Sequence, residues 1–416
     1  MHIIEIIFNS FEKNNIRYCH FKSNQHLKES FDGISDFDIL VDYKQSKECK
    51  KILLDNNCKQ FEPLYIGDYP SVENWIAFDK NSGKIFHIHL HFHLASGKSL
   101  VKEYFLPWSE LILDTSTKSD EYNILISNPH VELLLLVSRI VIKSKISSSL
   151  KAIFGKYHLP DDMDKEYKYL KNRINKKEIE IFALQMFEKN AAQQLIGIIQ
   201  NHDTISSKEF KIVRRIVKSQ LKNSKRINNI RASIGSRFFR LIDLKNKFMS
   251  RKLGIYKITK KVNSAGGKII AFIGVDGCGK STLSEEVRSW LDYKIEVKRF
   301  YMGEGDGKVN LFATLVKKVY SLLYAKKQRN RISVKTNSGN NNKKVKFLEQ
   351  PIEYLKKYIH ALMIYSVVKS NYRKIRKMNQ YRMNGGFSIL DRYPQLQHEG
   401  MNDGLKLNRY ATVLDS

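Results

Sequence analysis

The sequence predicts an α/β chain of several domains, and three stretches carry that prediction. Residues 268–273 form a short apolar, β-branched run, followed by a glycine-rich stretch over 274–282 and then by Leu283, Val287 and Leu291 at helical spacing, so strand, loop and helix succeed one another. Residues 84–94 alternate histidine with apolar side chains, as a strand with two unlike faces does. Between these two stretches, residues 128–250 are rich in Leu and Ile at helical spacing and poor in Gly and Pro. A length of 416 residues is enough for two to four domains. The expected division is 1–118, an α/β domain; 119–262, a helical connector; and 263–416, a second α/β domain on a parallel sheet.

Composition excludes some classes. The chain is 42% hydrophobic, ample for ordinary cores. Its first residues hold no charged-then-apolar leader, and its longest apolar run, 131–141, is broken by Glu132, Ser138 and Arg139. That run is far short of the ~20 residues that cross a bilayer, so no transmembrane segment is expected. Cys19, Cys49, Cys58 and Cys278 lack metal-ligand spacing, which predicts reduced, cytoplasmic thiols. Charge is uneven within the total of +30. Residues 1–118 hold 14 Lys and Arg against 16 Asp and Glu, a net of −2, and 119–416 hold 58 against 26, a net of +32. The basic remainder has two readings. One is contact with an anionic surface or polymer; the other is a Lys-, Asn- and Ile-rich composition without functional meaning. Nucleic acid, resting on charge alone, is not the expected partner.

In the first segment, apolar residues over 3–11 predict a helix and residues 16–21 a strand. Asp36 and Asp38 then alternate with Phe37 and Ile39 along a second strand, so both carboxylates leave one face. Two carboxylates on one edge make an oxygen-rich site for Mg²⁺ beside a nucleoside triphosphate. Ser23 precedes Asp36 by thirteen positions, with Lys22 before it. This pattern resembles the nucleotidyltransferase superfamily. It is similar to the nucleotidyltransferase-like module that accompanies thymidylate kinase-like domains in bacterial polysaccharide gene clusters. The resemblance implies a site of Ser23, Asp36 and Asp38, with Asp36 and Asp38 as metal ligands. Two departures are visible: Lys22 replaces the usual glycine, and the later strand offers histidines where active members supply a third acid. His87, His89, His91 and His93 share one face of that strand. Residues two apart on a strand lie about 6.5–7 Å apart, so at most two of these could share a transition metal ion with Asp36 and Asp38; otherwise they are the polar face of a half-buried strand. Ser96-Gly97-Lys98-Ser99 is not a phosphate loop, because Phe92 stands where its first glycine belongs.

The middle begins at Asn128-Pro129 with a helical pattern over 131–146, and amphipathic helices are expected over 179–187, 210–221 and 227–248. Arg231, Arg237, Arg240 and Arg251 make either a phosphate-seeking stripe or an ordinary solvated face. Residues 252–267, ending Asn263-Ser264-Ala265-Gly266-Gly267, read as a linker.

In the last segment, Gly274-Val275-Asp276-Gly277-Cys278-Gly279-Lys280-Ser281-Thr282 has the spacing of a phosphate-binding loop in its required strand–loop–helix context. Gly277 and Gly279 permit the dihedrals that turn successive N–H groups toward a phosphate, and the following helix aims its positive end at the same anion. Lys280 is placed to reach the β- and γ-phosphates, and the Ser281 hydroxyl to ligate Mg²⁺. Residues 294–301 predict a second strand, 311–327 a basic helix, 330–346 a loop and 348–378 another helix. A third strand over 385–391 ends in Asp391-Arg392-Tyr393. The loop together with this ending resembles thymidylate kinase. The resemblance implies a P-loop kinase fold with ATP and Mg²⁺ as cofactors and a small phosphorylated acceptor. It also implies Asp276 at the acceptor's sugar 3′-hydroxyl, with Asp391 and Arg392 beside the metal and the acceptor phosphate. It covers 263–416 and only the first half of that fold, since the chain stops at Ser416 soon after the third strand. Three functions are therefore expected in order: a thymidylate kinase-like phosphotransferase acting through Lys280, Asp391 and Arg392; nucleotidyl transfer by the first domain; and non-catalytic nucleotide binding in surface-polysaccharide assembly.

Overall fold

The computed structural model describes residues 2–63, 69, 71–98, 100–252, 260–274, 277–301 and 342–391. The predicted 311–327 helix, most of the 330–346 loop, Asp276, Arg392 and Tyr393 lie outside the described residues. The chain forms two compact units, 1–264 and 265–416. Both mix strands and helices, and no helix among the described residues is long and apolar enough to cross a membrane.

The first unit opens with α1 (Ile3–Lys13), whose Ile4, Ile7, Phe8 and Phe11 recur every three to four residues and are buried. The Glu5 carboxylate accepts the His2 N–H at 2.9 Å and caps the helix start. There follow β1 (Tyr18–His20), α2 (Leu27–Phe31), β2 (Phe37–Val41), α3 (Ser46–Asp55), β3 (Lys59–Glu62), β4 (Val72–Phe78) and β5 (Ile85–His91). Then come β6 (Leu94–Ser96), β7 (Tyr104–Leu106), α4 (Ser109–Asp114), β8 (Thr117–Lys118) and β9 (Leu125–Ile126). The helical part is α5 (Pro129–Ile142), α6 (Ile146–Ile153), α7 (Asp161–Lys171), α8 (Lys176–Met186), α9 (Lys189–Asn201), α10 (Ser207–Gln220) and α11 (Asn229–Lys252), and β10 (Val262–Asn263) closes the unit.

An eight-stranded sheet runs β10-β3-β4-β5-β2-β1-β9-β8. β2 pairs with β5 in parallel, setting Phe37 level with Ile88 and Asp38 level with His89. On one face Phe37, Ile39, Val41, Phe86, Ile88 and Leu90 are buried beneath α1 and α3. Phe37 sits edge-on to Phe8 and Phe31 at 5.5 and 5.2 Å. On the other face Cys19 and Leu40 join a second core with Trp108 and the helices from α5 to α10. The run over 131–146 does not make one helix. α5 ends at Ile142, and α6 starts at Ile146. α5 begins at Pro129 with Asn128 accepting the His130 N–H at 3.0 Å, and every residue from His130 to Ile142 is buried. A helix apolar on all sides must be enclosed. In α11, Arg231, Arg237 and Arg240 are exposed.

The predicted linker holds one unexpected element. β10 pairs antiparallel with β3, Val262 opposite Glu62. β3 would otherwise be a sheet edge with unpaired backbone groups, and the segment leaving α11 satisfies them.

The second unit contains β11 (Ile269–Phe272), α12 (Lys280–Asp292), β12 (Val297–Tyr301), α13 (Asn342–Met383) and β13 (Phe387–Asp391). The three strands are parallel in the order β11-β13-β12. Tyr381 of α13 is buried, donates to Glu296 Oε1 at 2.7 Å and lies against Gly386, where a Cβ would come within 2.5 Å of its ring.

Because Phe37 fills the centre of the first core, Phe37→Ala is expected to destabilise this unit by about 3–5 kcal/mol. The measurement is the urea midpoint followed by tryptophan fluorescence; a shift equivalent to under 1 kcal/mol contradicts the assignment.

Candidate functional site

The structure brings the predicted residues together at two places, one in each unit. In the first, Asp36 enters β2, Asp38 lies within it, and His87, His89 and His91 project from β5 beside them. The spacing is fixed by the parallel register. His87 Nδ1 is 2.9 Å from Asp36 Oδ1, His89 Nδ1 is 3.4 Å from Asp38 Oδ1, and His91 Nε2 is 3.5 Å from the same oxygen. His93 is not part of the row. The strand ends at His91, and the His93 ring stacks on Phe105 at 5.2 Å. Ser23 has a left-handed φ of 58° and turns the chain out of β1. It sits next to Lys22, whose ammonium is 2.8 Å from Asp38 Oδ1.

Electrostatics follow from these contacts. Burial alone would raise the Asp38 carboxyl, but the Lys22 charge and hydrogen bonds from His89 and His91 outweigh it and hold the group well below the usual carboxylate range. Burial pushes His87 down to about 3 and His91 to about 4, against the pull of Asp36 and Asp38, so both rings are neutral near pH 7. Mg²⁺ takes oxygen ligands in an octahedron. The groups facing Asp36 and Asp38 are imidazoles and ammonium ions, so these residues do not fit a Mg²⁺ centre.

Three sets of residues here escape the sequence reading. Lys261, in the supposed linker, places its Nζ 2.9 Å from His87 Nε2 and 3.4 Å from His89 Nε2. Nothing in the local pattern signals it. Glu132 is buried in α5 and accepts from the Asn24 side chain at 2.6 Å, the Asn24 N–H at 3.1 Å and Ser127 Oγ at 3.0 Å; Asn24 Oδ1 in turn is 2.6 Å from His20 Nδ1. A lone acid inside an apolar run was its available signal. Finally, Lys102 is pushed down to about 8, by burial and then by Lys22, and Lys143 to about 6, by Arg139 and then by burial. A crowd of cations thus stands near Asp38.

The second site lies at the carboxyl ends of the three parallel strands. Phe272, Asp391 and Tyr301 are level with one another across β11, β13 and β12. The loop follows β11, and α12 starts at Lys280 with Gly279 as its cap. Gly279 has φ 83°, a left-handed conformation that reverses the chain into the helix. A Cβ on Gly274 would come within 2.7 Å of Cys278 Sγ, so a larger residue there requires the thiol to move. Lys280 is buried and donates from Nζ to the Gly274 carbonyl at 2.8 Å, lying back across the loop. Ser281 and Thr282 occupy the exposed first turn of α12, and Gly277 is also left-handed at φ 87°. Asp391 is fully buried and ion-paired with Arg299, a partner the sequence did not announce. Its Oδ1 is buried with no hydrogen-bond partner among the described residues. A serine hydroxyl at a helix start and an unsatisfied carboxylate oxygen on the neighbouring strand are donors of the kind Mg²⁺ takes.

No protein-family model matches the chain, and no solved structure matches it. Among curated proteins, the uncharacterized ATP-binding protein YghS of Escherichia coli (strain K12) is 26% identical to it over 149 residues, which is 35% of this chain and 56% of that protein. The chain thus spans about half the length of the curated relative it matches.

The Glu132 network predicts a specific pH dependence. Burial raises Glu132 to about 7 from an ordinary value near 4.5. Below pH 4.5 folded and unfolded chains are both protonated there. Between about 4.5 and 7 only the unfolded chain ionises, so folding loses on the order of 3 kcal/mol as pH rises through that window. Glu132→Gln, neutral throughout, is expected to lack this loss. Urea melts of both proteins at pH 5 and pH 8 check it, and parallel stabilities refute it.

Proposed function

We propose that the second unit binds ATP with Mg²⁺ and transfers the γ-phosphoryl group to a small phosphorylated acceptor, as a thymidylate kinase-like phosphotransferase. The observation that carries this reading is a buried carboxylate, Asp391, at the end of the parallel strand adjoining a glycine loop whose lysine begins a helix. The likeness to a protein named as ATP-binding supports the nucleotide half of the proposal.

The chemistry assigned to each residue follows from its place. Backbone N–H groups from Gly277 to Lys280 and the positive end of α12 receive the phosphate oxygens. Lys280 exchanges the Gly274 carbonyl for the β- and γ-phosphates, so its ammonium is presented to charge as that charge develops. Ser281 and Asp391 would hold Mg²⁺, which when bound neutralises phosphate charge. Arg299 fixes the Asp391 carboxylate. Thr282 adds a hydroxyl at the same helix start. Asp276 and Arg392, by the family resemblance, contact the acceptor's sugar and phosphate. In-line transfer needs the two substrates held in register more than it needs covalent help from the protein.

Nucleotidyl transfer by the first unit is the second reading, favoured by Asp36 and Asp38 leaving one face beside Lys22. It ranks second because imidazoles stand where the reaction needs oxygen donors for its metal.

Lys280→Ala is expected to weaken ATP binding at least tenfold in calorimetry and to abolish transfer to nucleoside monophosphates and sugar phosphates. Transfer that survives Lys280→Ala defeats the kinase mechanism. Tight ATP binding without turnover of any acceptor selects the non-catalytic reading instead. Pyrophosphate release from a nucleoside triphosphate that disappears in Asp38→Asn and persists in Lys280→Ala selects nucleotidyl transfer.

A further inference from the structure

The histidine face of β5 carries chemistry that a phosphotransferase in the other unit does not use. Asp36, His87 and His89 each offer one ligand atom, and these atoms lie within 4.8 Å of one another. The grouping is built into the sheet: His87 and His89 are alternate residues of one strand, and the parallel register sets β2 so that Asp36 meets them. His89 Nε2 is 4.0 Å from Asp36 Oδ2. Ligands at 2.0–2.1 Å around a tetrahedral ion stand about 3.3 Å apart, so side-chain rotation of less than ~1 Å closes this pair.

Two further observations point to a cation. First, a cation already stands among the donors: the Lys261 ammonium lies 2.9 Å from His87 Nε2 and 3.4 Å from His89 Nε2. Ring nitrogens that face an ammonium present lone pairs to it, the same lone pairs a metal ion takes. Second, His89 has the supporting contact of a metal-ligating histidine. His89 turns its other nitrogen, Nδ1, to the Asp38 carboxylate at 3.4 Å, and Asp38 is itself held by Lys22 at 2.8 Å.

We propose that Asp36, His87 and His89 form a binding site for a divalent transition-metal ion, and that Lys261 competes with the ion for it. Two nitrogens and one carboxylate select Zn²⁺, Co²⁺ or Ni²⁺ over Mg²⁺, which prefers oxygen alone. Lys261 precedes β10, whose pairing with β3 delivers the ammonium to the histidines. Binding of the ion requires that ammonium to leave, and two positive charges cannot share the position.

The test uses the full chain and Co²⁺, whose visible absorption reports tetrahedral nitrogen and oxygen ligation, with Mg²⁺ present in excess. One Co²⁺ per chain is expected to give a visible band, which His89→Gln removes. Lys261→Met, which keeps the side chain's length and removes its charge, is expected to tighten Co²⁺ binding at least tenfold. His89 is half-buried and Lys261 lies next to an edge strand, so folding of each variant is confirmed by its tryptophan emission. No band in either the parent or Lys261→Met, a band that persists in His89→Gln, or equal affinity in Lys261→Met overturns the proposal.

Discussion

Side chains along a strand alternate between its two sides, so the parallel register of β2 with β5 decides the chemistry of both faces of the first unit's sheet at once. With Phe37 beside Ile88, three residues of each strand enter the core under α1 and α3, each contributing roughly 1.5–3 kcal/mol by burial. The same register necessarily sends Asp36, Asp38, His87, His89 and His91 to the opposite side. A slip of one residue would turn those five polar groups into the apolar core under α1 and α3 and take six apolar side chains out of it. The polar cluster is thus locked in place by hydrophobic burial on the other side of the sheet, and its own contacts need only satisfy it. The partners are unusual, and His91 Nδ1 is buried without a hydrogen-bond partner among the described residues. Lys22 neutralises Asp38, and burial keeps His87 and His91 uncharged.

A related constraint shapes the second unit. β13 lies between two parallel neighbours, and Ser388, Ile389, Leu390 and Asp391 are all buried. Ile389 and Leu390 suit a central strand; the small Ser388 is buried with its hydroxyl unpartnered among the described residues, and Asp391, a fully buried carboxylate, needs a countercharge. Arg299 is level with Ile389 on β12, two residues short of Asp391's neighbour Tyr301, and its long side chain spans that gap. The pairing compensates one carboxylate oxygen and leaves the other without a hydrogen-bond partner among the described residues.

What the sequence disclosed about these sites follows the range of the signal. The loop over 274–282 was legible because each requirement is local: glycine dihedrals, the lysine and the helix start fall within nine residues. The two faces of β2 and β5 were legible because a period of two is visible in one strand alone. Contacts between distant segments were not. Lys261 reaches His87 across 174 residues, Arg299 reaches Asp391 across 92, and Asn24 reaches Glu132 across 108. Each partner looks locally like an ordinary surface charge or a flaw in an apolar run. β10 was missed for the same reason: two residues hold no periodicity, and only the open edge of β3 gives them a structure. The end of α5 was misplaced because Ile146 falls four residues after Ile142, at helical spacing, and spacing alone does not mark where one helix yields to the next.

Both units match a buried carboxylate to a guanidinium, the first through Glu166 and Arg139 at 3.3 Å, but around Asp38 the first unit does something else. The second unit buries a carboxylate and supplies one guanidinium to match it. The first gathers cations around one carboxylate, and the excess shows in the lysines: Arg139, burial, Lys22 and Lys102 together bring Lys143 down to about 6, and burial with Lys22 and Arg139 brings Lys102 to about 8. Repulsion of that size is relieved either by loss of a proton or by arrival of negative charge. Uneven charge along the chain, near-neutral before residue 119 and strongly basic after it, acquires a local meaning here. Lys22 and Lys102 come from the near-neutral segment and Arg139 and Lys143 from the basic one, so the fold concentrates at one point a charge that neither segment concentrates by itself.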